Sequence, residues 1–165
     1  MRKAYIFLIA LAVLGLDQWS KFWARANLTD YRTLDIIPDH FRLFLNFNTG
    51  GAWSILSGNV WVLAAVSSIV SLGLIYYILR YPLARLQSIG LGLVLGGAVG
   101  NLVDRLLMQR VTDFFDAYVG IHHFPTFNVA DMGIDIGVGL LFLMYAFLPE
   151  KKENKEIEES GEPNS

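Results

Sequence analysis

Two aspartates, far apart along the chain, carry the chemistry that this sequence offers most clearly. Asp113 lies in the segment VTDFFD and Asp131 closes the segment FNVAD. The chain has no cysteine and three histidines, so thiol chemistry is excluded and carboxylates are the main candidates for general acid and base. Two carboxyl groups held close together cannot both ionise; one keeps a proton while the other takes a proton from water. The sequence therefore predicts an available carboxylate pair for hydrolysis.

Each of these aspartates also has a purely structural interpretation. Asp113 falls in a predicted external loop, where it could be an ordinary turn carboxylate. Asn128 and Asp131 have the N-cap and N3 spacing of a helix start, where the helix dipole favours a carboxylate. Asp116 has no assignment, and Asp135, one turn beyond Asp131, is expected to pair within a helical bundle. The sequence leaves both interpretations open.

Other polar residues interrupt apolar segments, where an ionisable side chain is costly and usually functional. Asp17 and Lys21 are four residues apart in acid-before-base order. This spacing fits either a salt bridge at a helix end or the positioning of a neighbouring site. Asn101, Asp104 and Arg105 share one face of another apolar segment. We expect them to form a packed ion-pair network, because unpaired buried charges cost several kcal/mol.

These polar residues must be positioned by membrane-spanning helices. The chain is 54% apolar and 17% charged, against about 25% charged in a typical soluble domain. This composition excludes a disordered chain and a nucleic-acid binder with a broad basic surface. We predict an all-α membrane protein, a four-transmembrane-helix bundle with a small extracytoplasmic β platform. A helix of about 20 apolar residues is long enough to cross a bilayer. Four such stretches lie at roughly 4–23, 60–79, 86–107 and 132–148.

The loops define the rest of the predicted organisation. Residues 41–48 (FRLFLNFN) alternate in polarity, which predicts a strand in an external platform spanning 24–59. Residues 1–148 are expected to form a single membrane-embedded domain, and 149–165 an acidic, disordered cytoplasmic tail. Lysine and arginine are more frequent on the flanks facing that tail than on the opposite loops, which predicts that both termini are cytoplasmic. A cleavable signal peptide at the start is disfavoured by the polar residues 17–21.

Five blocks in order along the chain have a recognisable combined pattern. They are DQWSKFW (17–23), NTGGAW (48–53), GGAVGNLVDR (96–105), VTDFF (111–115) and FNVAD (127–131). Together they resemble the bacterial lipoprotein signal peptidase (signal peptidase II) family. The resemblance implies an aspartyl endopeptidase of the bacterial plasma (inner) membrane, with its active site at the outer face. Such an enzyme cuts the signal peptide from diacylglyceryl-modified prolipoproteins just before the lipidated cysteine. The implied partners are this substrate and membrane lipid, without nucleic acid, cofactor or metal, and the chain is expected to act as a monomer.

The resemblance also implies roles for individual residues. Asp113 and Asp131 match the catalytic dyad. The asparagines and Arg105 would contact the substrate backbone, and Asp104 would hold Arg105. One departure is Trp53, where the family commonly has Phe. The positions that would line or brace the site are Asp17, Asn48, Asn101, Asp104, Arg105 and Asn128.

Three other functions remain open at this stage. In a small transporter, Asp113, Asp131 and Asp135 would relay protons, but these acids cluster at one face and do not cross the membrane. A Ser–Lys peptidase would use Ser20 and Lys21, but adjacent helical residues do not face each other. A scaffold protein would need neither dyad aspartate.

Overall fold

A computed structural model describes residues 3–28, 33–50 and 58–147 of the chain. Within these residues, four helices are each long and apolar enough to cross a membrane: α1 (Ala4–Asn27), α2 (Val60–Arg80), α3 (Arg85–Met108) and α4 (Val129–Phe147). Four strands form one antiparallel sheet in the order β1 (Leu34–Ile37), β2 (Phe41–Asn48), β3 (Val111–Val119) and β4 (His122–His123). The predicted fold class is confirmed.

Helix α3 is the centre of the bundle and contacts the other three helices. Its glycines allow this close approach. A Cβ atom added to Gly96 would lie 2.7 Å from the backbone oxygen of Ala10 in α1, and one added to Gly97 would collide with the backbone oxygen of Ala130 in α4. Any larger residue at these positions would therefore push the helices apart.

The outer surface of the bundle is apolar. Large side chains such as Leu8 of α1, Ile69 of α2 and Phe142 of α4 are mostly exposed. Soluble proteins rarely expose so much contiguous apolar surface, whereas hydrocarbon solvates it at no cost. The fold therefore suits a multi-pass membrane protein.

One prediction about the sheet is confirmed, and another is wrong. The strand expected at residues 41–48 is present as β2 with the same bounds. Its strict alternation is interrupted by a register shift between Leu43 and Asn46. The segment containing Asp113 was expected to be a loop, but it forms β3 and pairs with β2. Ring packing explains this strand, because Phe115 stacks on Phe41 with ring centroids 5.8 Å apart.

The ends of the helices differ from the predicted spans by a few residues. Helix α1 continues to Asn27, so the first residues of the expected platform are helical. Helix α4 begins at Val129, one residue after Asn128. Trp53 and the acidic tail at 149–165 lie outside the described residues.

Candidate active site

A cavity of about 830 Å³ opens where the bundle meets the sheet. The end of α3, the start of α4 and the facing ends of β2 and β3 surround it. Its lining includes six polar residues that the sequence singled out: Asn48, Asn101, Arg105, Asp113, Asp131 and Asp135. Asn46, Thr49, His123 and Thr126 are further polar residues of the lining.

Asp113 reaches this cavity from the middle of the sheet. It lies opposite Asn46 in the β2–β3 register, and the residue is 1% exposed. Its Oδ2 accepts a hydrogen bond from Asn48 Nδ2 at 3.0 Å, and its Oδ1 accepts one from Asn128 Nδ2 at 2.7 Å. The strand and two amide donors therefore fix the orientation of this carboxyl group.

Asp131 reaches the cavity from the first turn of α4. Its Oδ2 accepts a hydrogen bond from the backbone N of Asn128 at 3.1 Å, while Asn128 Oδ1 accepts one from the backbone N of Asp131 at 3.0 Å. This is a reciprocal helix cap, so the capping interpretation of the sequence is correct. Capping leaves the group available for chemistry, because each carboxylate oxygen can accept a second hydrogen bond.

Asn128 connects the two aspartates. Its side-chain amide donates to Asp113 and its backbone amide donates to Asp131. The residue is fully buried, so these bonds do not compete with bulk water. Each carboxyl group therefore accepts a hydrogen bond from Asn128, and both carboxyl groups line the same cavity.

The environment changes the acidity of Asp113. Burial raises the pKa of this carboxyl group, and the negative charge of Asp131 raises it further, to about 7. The amide donors of Asn48 and Asn128 and the charge of Lys21 act in the opposite direction but do not cancel the rise. A carboxyl group with this pKa can both hold and release a proton at neutral pH.

A buried ion network supports the pair from α1. Lys21 is fully buried, and its Nζ lies 2.8 Å from Asp17 Oδ2 and 3.5 Å from Asp104 Oδ2. Asp17 Oδ1 accepts a hydrogen bond from the backbone N of Ala130 at 2.9 Å, which fixes the first turn of α4. The expected Asp17–Lys21 salt bridge therefore forms, and it positions the neighbouring site.

Lys21 also orients Asn101. The ammonium donates to Asn101 Oδ1 at 3.0 Å, so the amide NH2 points the other way. That NH2 donates to Asp131 Oδ1 at 2.7 Å. Sequence reasoning paired Lys21 with Asp17 but gave it no place in the site; its position within the DQWSKFW block was the available signal.

Asp104 and Arg105 do not pair with each other among the described residues, contrary to expectation. Consecutive helical residues point about 100° apart, so they face different neighbours. Asp104 accepts from the backbone N of Thr112 at 2.9 Å, whereas Arg105 donates to the backbone oxygen of Gly50 at 3.4 Å and to Ser67 at 3.5 Å. Asp104 thus braces the start of β3, and Arg105 lines the cavity.

Three other candidate residues make no hydrogen bond to Asp113 or Asp131 in the described part of the chain. Asp135 was expected to pair within the bundle, but it is exposed and lines the cavity, because its position on α4 faces outward there. Asp116 accepts from Arg42 Nε at 2.7 Å and lies 2.8 Å from His123 Nδ1. Ser20 donates to the backbone oxygen of Asp17 at 2.9 Å, which does not support a Ser–Lys pair.

The described residues also lack an obvious metal site. Within 3–28, 33–50 and 58–147, no three histidine or acidic side chains are arranged to hold a metal ion.

Comparisons with known proteins give matches over most of the chain. Residues 9–147 match the family described as Signal peptidase (SPase) II. A lipoprotein signal peptidase of Geobacillus thermodenitrificans is 40% identical over 156 residues, covering 93% of this chain and 98% of the relative. That of Bacillus subtilis is 36% identical over 151 residues, covering 91% and 98%. 

Two solved structures have a similar fold. One described as a bacterial membrane enzyme at 2.3 Å resolution is similar with a TM-score of 0.83 and 29% identity, covering 94% of this chain and 95% of its own. A second, at 1.9 Å, has a TM-score of 0.78 and 29% identity, covering 88% and 95%. The chain belongs to the signal peptidase II family, as the match of residues 9–147 and the curated relatives show.

Proposed function

We propose that this protein is an aspartyl endopeptidase that removes the signal peptide from diacylglyceryl-modified prolipoproteins. It would cut just before the lipidated cysteine, with Asp113 and Asp131 activating the attacking water. The observation that carries the proposal is the hydrogen bonding of both carboxyl groups to Asn128 at the wall of one cavity. Membership of the signal peptidase II family supports the substrate class.

In the proposed reaction the pair begins with one proton. The charged carboxylate takes a proton from water as the water oxygen bonds to the scissile carbonyl carbon, and the neutral carboxyl donates its proton to the carbonyl oxygen. The tetrahedral gem-diol then collapses: one of its hydroxyl groups gives its proton to the carboxylate of the pair as the C=O bond re-forms, the C–N bond breaks, and the leaving amine takes the proton of the other carboxyl group. The pair again holds one proton, and no covalent enzyme intermediate forms.

The surrounding residues have supporting roles in this proposal. Asn128 and Asn101 hold the two carboxyl groups in place, and Lys21 fixes Asn101 and offsets part of the negative charge. Arg105 and Asn48 line the open cavity, where they could donate to carbonyl groups of the bound peptide. These contacts would align the scissile bond with the pair, which is where orientation contributes to rate.

The position of the cavity suits a lipid-modified substrate. The bundle has an apolar outer surface, and the cavity opens at its end beside the sheet. Acyl chains on the substrate cysteine could stay in the bilayer while the peptide bond enters the cavity, so the tether would set its depth. In this proposal the site faces the outer side of the plasma membrane, both termini are cytoplasmic, and one chain suffices because its own elements enclose the cavity.

Cleavage of a purified diacylglyceryl-prolipoprotein tests the proposal. Asp113→Asn and Asp131→Asn should each lower cleavage at least 100-fold, within the range that general acid–base groups contribute. Asp135→Asn is the matched control, because it removes an acid that lines the same cavity without contacting Asn128 in the described residues. Normal turnover by either dyad variant, or an equal loss in Asp135→Asn, would contradict the assignment.

A proton-conducting function is the alternative with a structural rationale. Its relay would need acids along the bundle, but the aspartates of the described helices lie at Asp17, Asp104, Asp131 and Asp135, all towards the cavity end. Liposomes containing the protein should therefore show no proton flux beyond empty liposomes. Flux that disappears in Asp135→Asn would favour the alternative.

A further inference from the structure

A second cavity, of about 670 Å³, lies at the opposite end of the bundle. It is enclosed by the start of α1, the start of α3 and the residues just before α3. Lys3 and Asp17 are fourteen positions apart on or beside α1, which corresponds to about 20 Å along a helix axis. The second cavity is therefore separated from the aspartate pair by most of the thickness of a bilayer core.

The charge of this second cavity is positive and has no acidic counterpart in the described part of the chain. Lys3 and Arg85 both line it. Lys3 Nζ donates one hydrogen bond, to the backbone oxygen of Leu79 at 2.5 Å, which leaves its other two protons available. Arg85 forms no ion pair with any described residue, since the described aspartates of the helices lie at the other end.

Neutral groups complete the lining. Ser88 is 2% exposed and lines the cavity, so it adds a hydroxyl group to the lining. The Tyr5 ring, Ile6 and Leu83 supply apolar surface beside it. The cavity thus combines two cations, a hydroxyl group and an apolar wall.

We propose that this cavity binds the phosphodiester headgroup of an anionic phospholipid. Lys3, Arg85 and Ser88 would donate to the phosphate oxygens, because ammonium, guanidinium and hydroxyl groups are its usual partners. The apolar wall would contact the start of the acyl chains, which a soluble phosphate does not have. Basic cavities between helices on the cytoplasmic side of a membrane have this preference.

Thermal unfolding in nonionic detergent micelles tests the proposal with the full-length protein. Phosphatidylglycerol should raise the melting temperature more than phosphatidylcholine with the same acyl chains, because Lys3 and Arg85 would repel the choline cation. Soluble glycerol 3-phosphate should not raise it. Native mass spectrometry should show one retained phosphatidylglycerol. In Lys3→Gln/Arg85→Gln the lipid should bind roughly 25- to 100-fold more weakly, from about five- to tenfold for each charge.

Arg80→Gln provides the matched control. Arg80 carries the same charge at the same end of the bundle, but it lies over the Tyr81 ring and does not line the cavity. This variant should keep the full response to phosphatidylglycerol. An equal loss in Arg80→Gln and in the double variant would indicate nonspecific attraction and overturn the proposal, as would stabilisation by glycerol 3-phosphate equal to that by the lipid.

The acidic segment 149–165 is the competing occupant. It contains six glutamates and follows α4, whose last turn is at this end of the bundle. A full-length variant with all six replaced by glutamine should respond to phosphatidylglycerol as the parent does. A response that is absent from the parent and present only in this variant would show that the segment fills the cavity, and would overturn the lipid proposal.

Discussion

Asp113→Asn should make the stability of the protein less dependent on pH. Burial and the charge of Asp131 raise the pKa of the Asp113 carboxyl group from its ordinary value of 3.8 to about 7. The pKa of Asp113 is higher in the folded protein than in the unfolded chain. The contribution of this group to the stability of the folded protein is therefore fully present below about pH 4, and it is lost as the pH rises towards 7. Each pKa unit corresponds to about 1.4 kcal/mol, so the whole change is on the order of 4 kcal/mol, of which about 3 kcal/mol falls between pH 5 and 8.

The asparagine variant has a separate cost that does not depend on pH. Asn48 and Asn128 both donate to the Asp113 carboxyl group, so the NH2 group of an asparagine at position 113 would face one of these donors. The lost hydrogen bond would lower the stability of the folded variant by about 1–2 kcal/mol. The informative quantity is therefore the melting temperature of the variant minus that of the parent. A change of 1 kcal/mol in stability shifts the melting temperature of a chain of this size by about 2–4 °C. The difference between variant and parent should therefore increase by on the order of 8 °C from pH 5 to pH 8.

Differential scanning fluorimetry in detergent at several pH values measures this difference. Asp39→Asn is the matched control, because it removes an exposed carboxylate from a turn where asparagine also tolerates the left-handed backbone conformation. Melting curves of Asp113→Asn that stay parallel to those of the parent from pH 5 to 8 would refute the reasoning about burial and charge.

Three further substitutions test how the fold supports the site. Lys21→Met should leave the buried carboxylates of Asp17 and Asp104 without their cation. The loss of stability should be about 3–5 kcal/mol, which lowers the melting temperature by more than about 6 °C. An unchanged melting temperature would contradict the buried network. Gly97→Ala should push the backbone at Ala130 away and reduce cleavage at least tenfold, whereas Gly139→Ala, with open space around it, should leave cleavage rates unchanged. Asp116→Asn should lower stability by about 1–3 kcal/mol without changing the pH profile of cleavage, since its partners lie in the sheet and not at the dyad; an altered profile would place Asp116 in the reaction.

Periodicity and composition were sufficient for the main elements of the fold. The four apolar stretches became helices because a backbone in hydrocarbon has few other ways to satisfy its hydrogen bonds. The β2 strand was predictable because residues 41–48 alternate in polarity. The β3 strand was not, because the segment around Asp113 has buried residues on both faces and its pairing with β2 is a long-range contact.

The site was predictable in its members but not in all its contacts. The spacing of Asn128 and Asp131 indicated a helix cap, and the structure adds that the same asparagine binds Asp113. No local pattern could show that Lys21 reaches Asn101, since the two lie on different helices. Helical spacing also grouped Asp104 with Arg105, although three-dimensional packing directs them to different neighbours.

An experimental structure of the protein in lipid, at a resolution that shows ordered water, tests the central claim most directly. Asp113 and Asp131 should each have a carboxyl oxygen within about 2.6–3.2 Å of one shared water molecule in the cavity. Carboxyl groups that open onto separate solvent regions, with no water in reach of both, would contradict a joint role in activating the nucleophile.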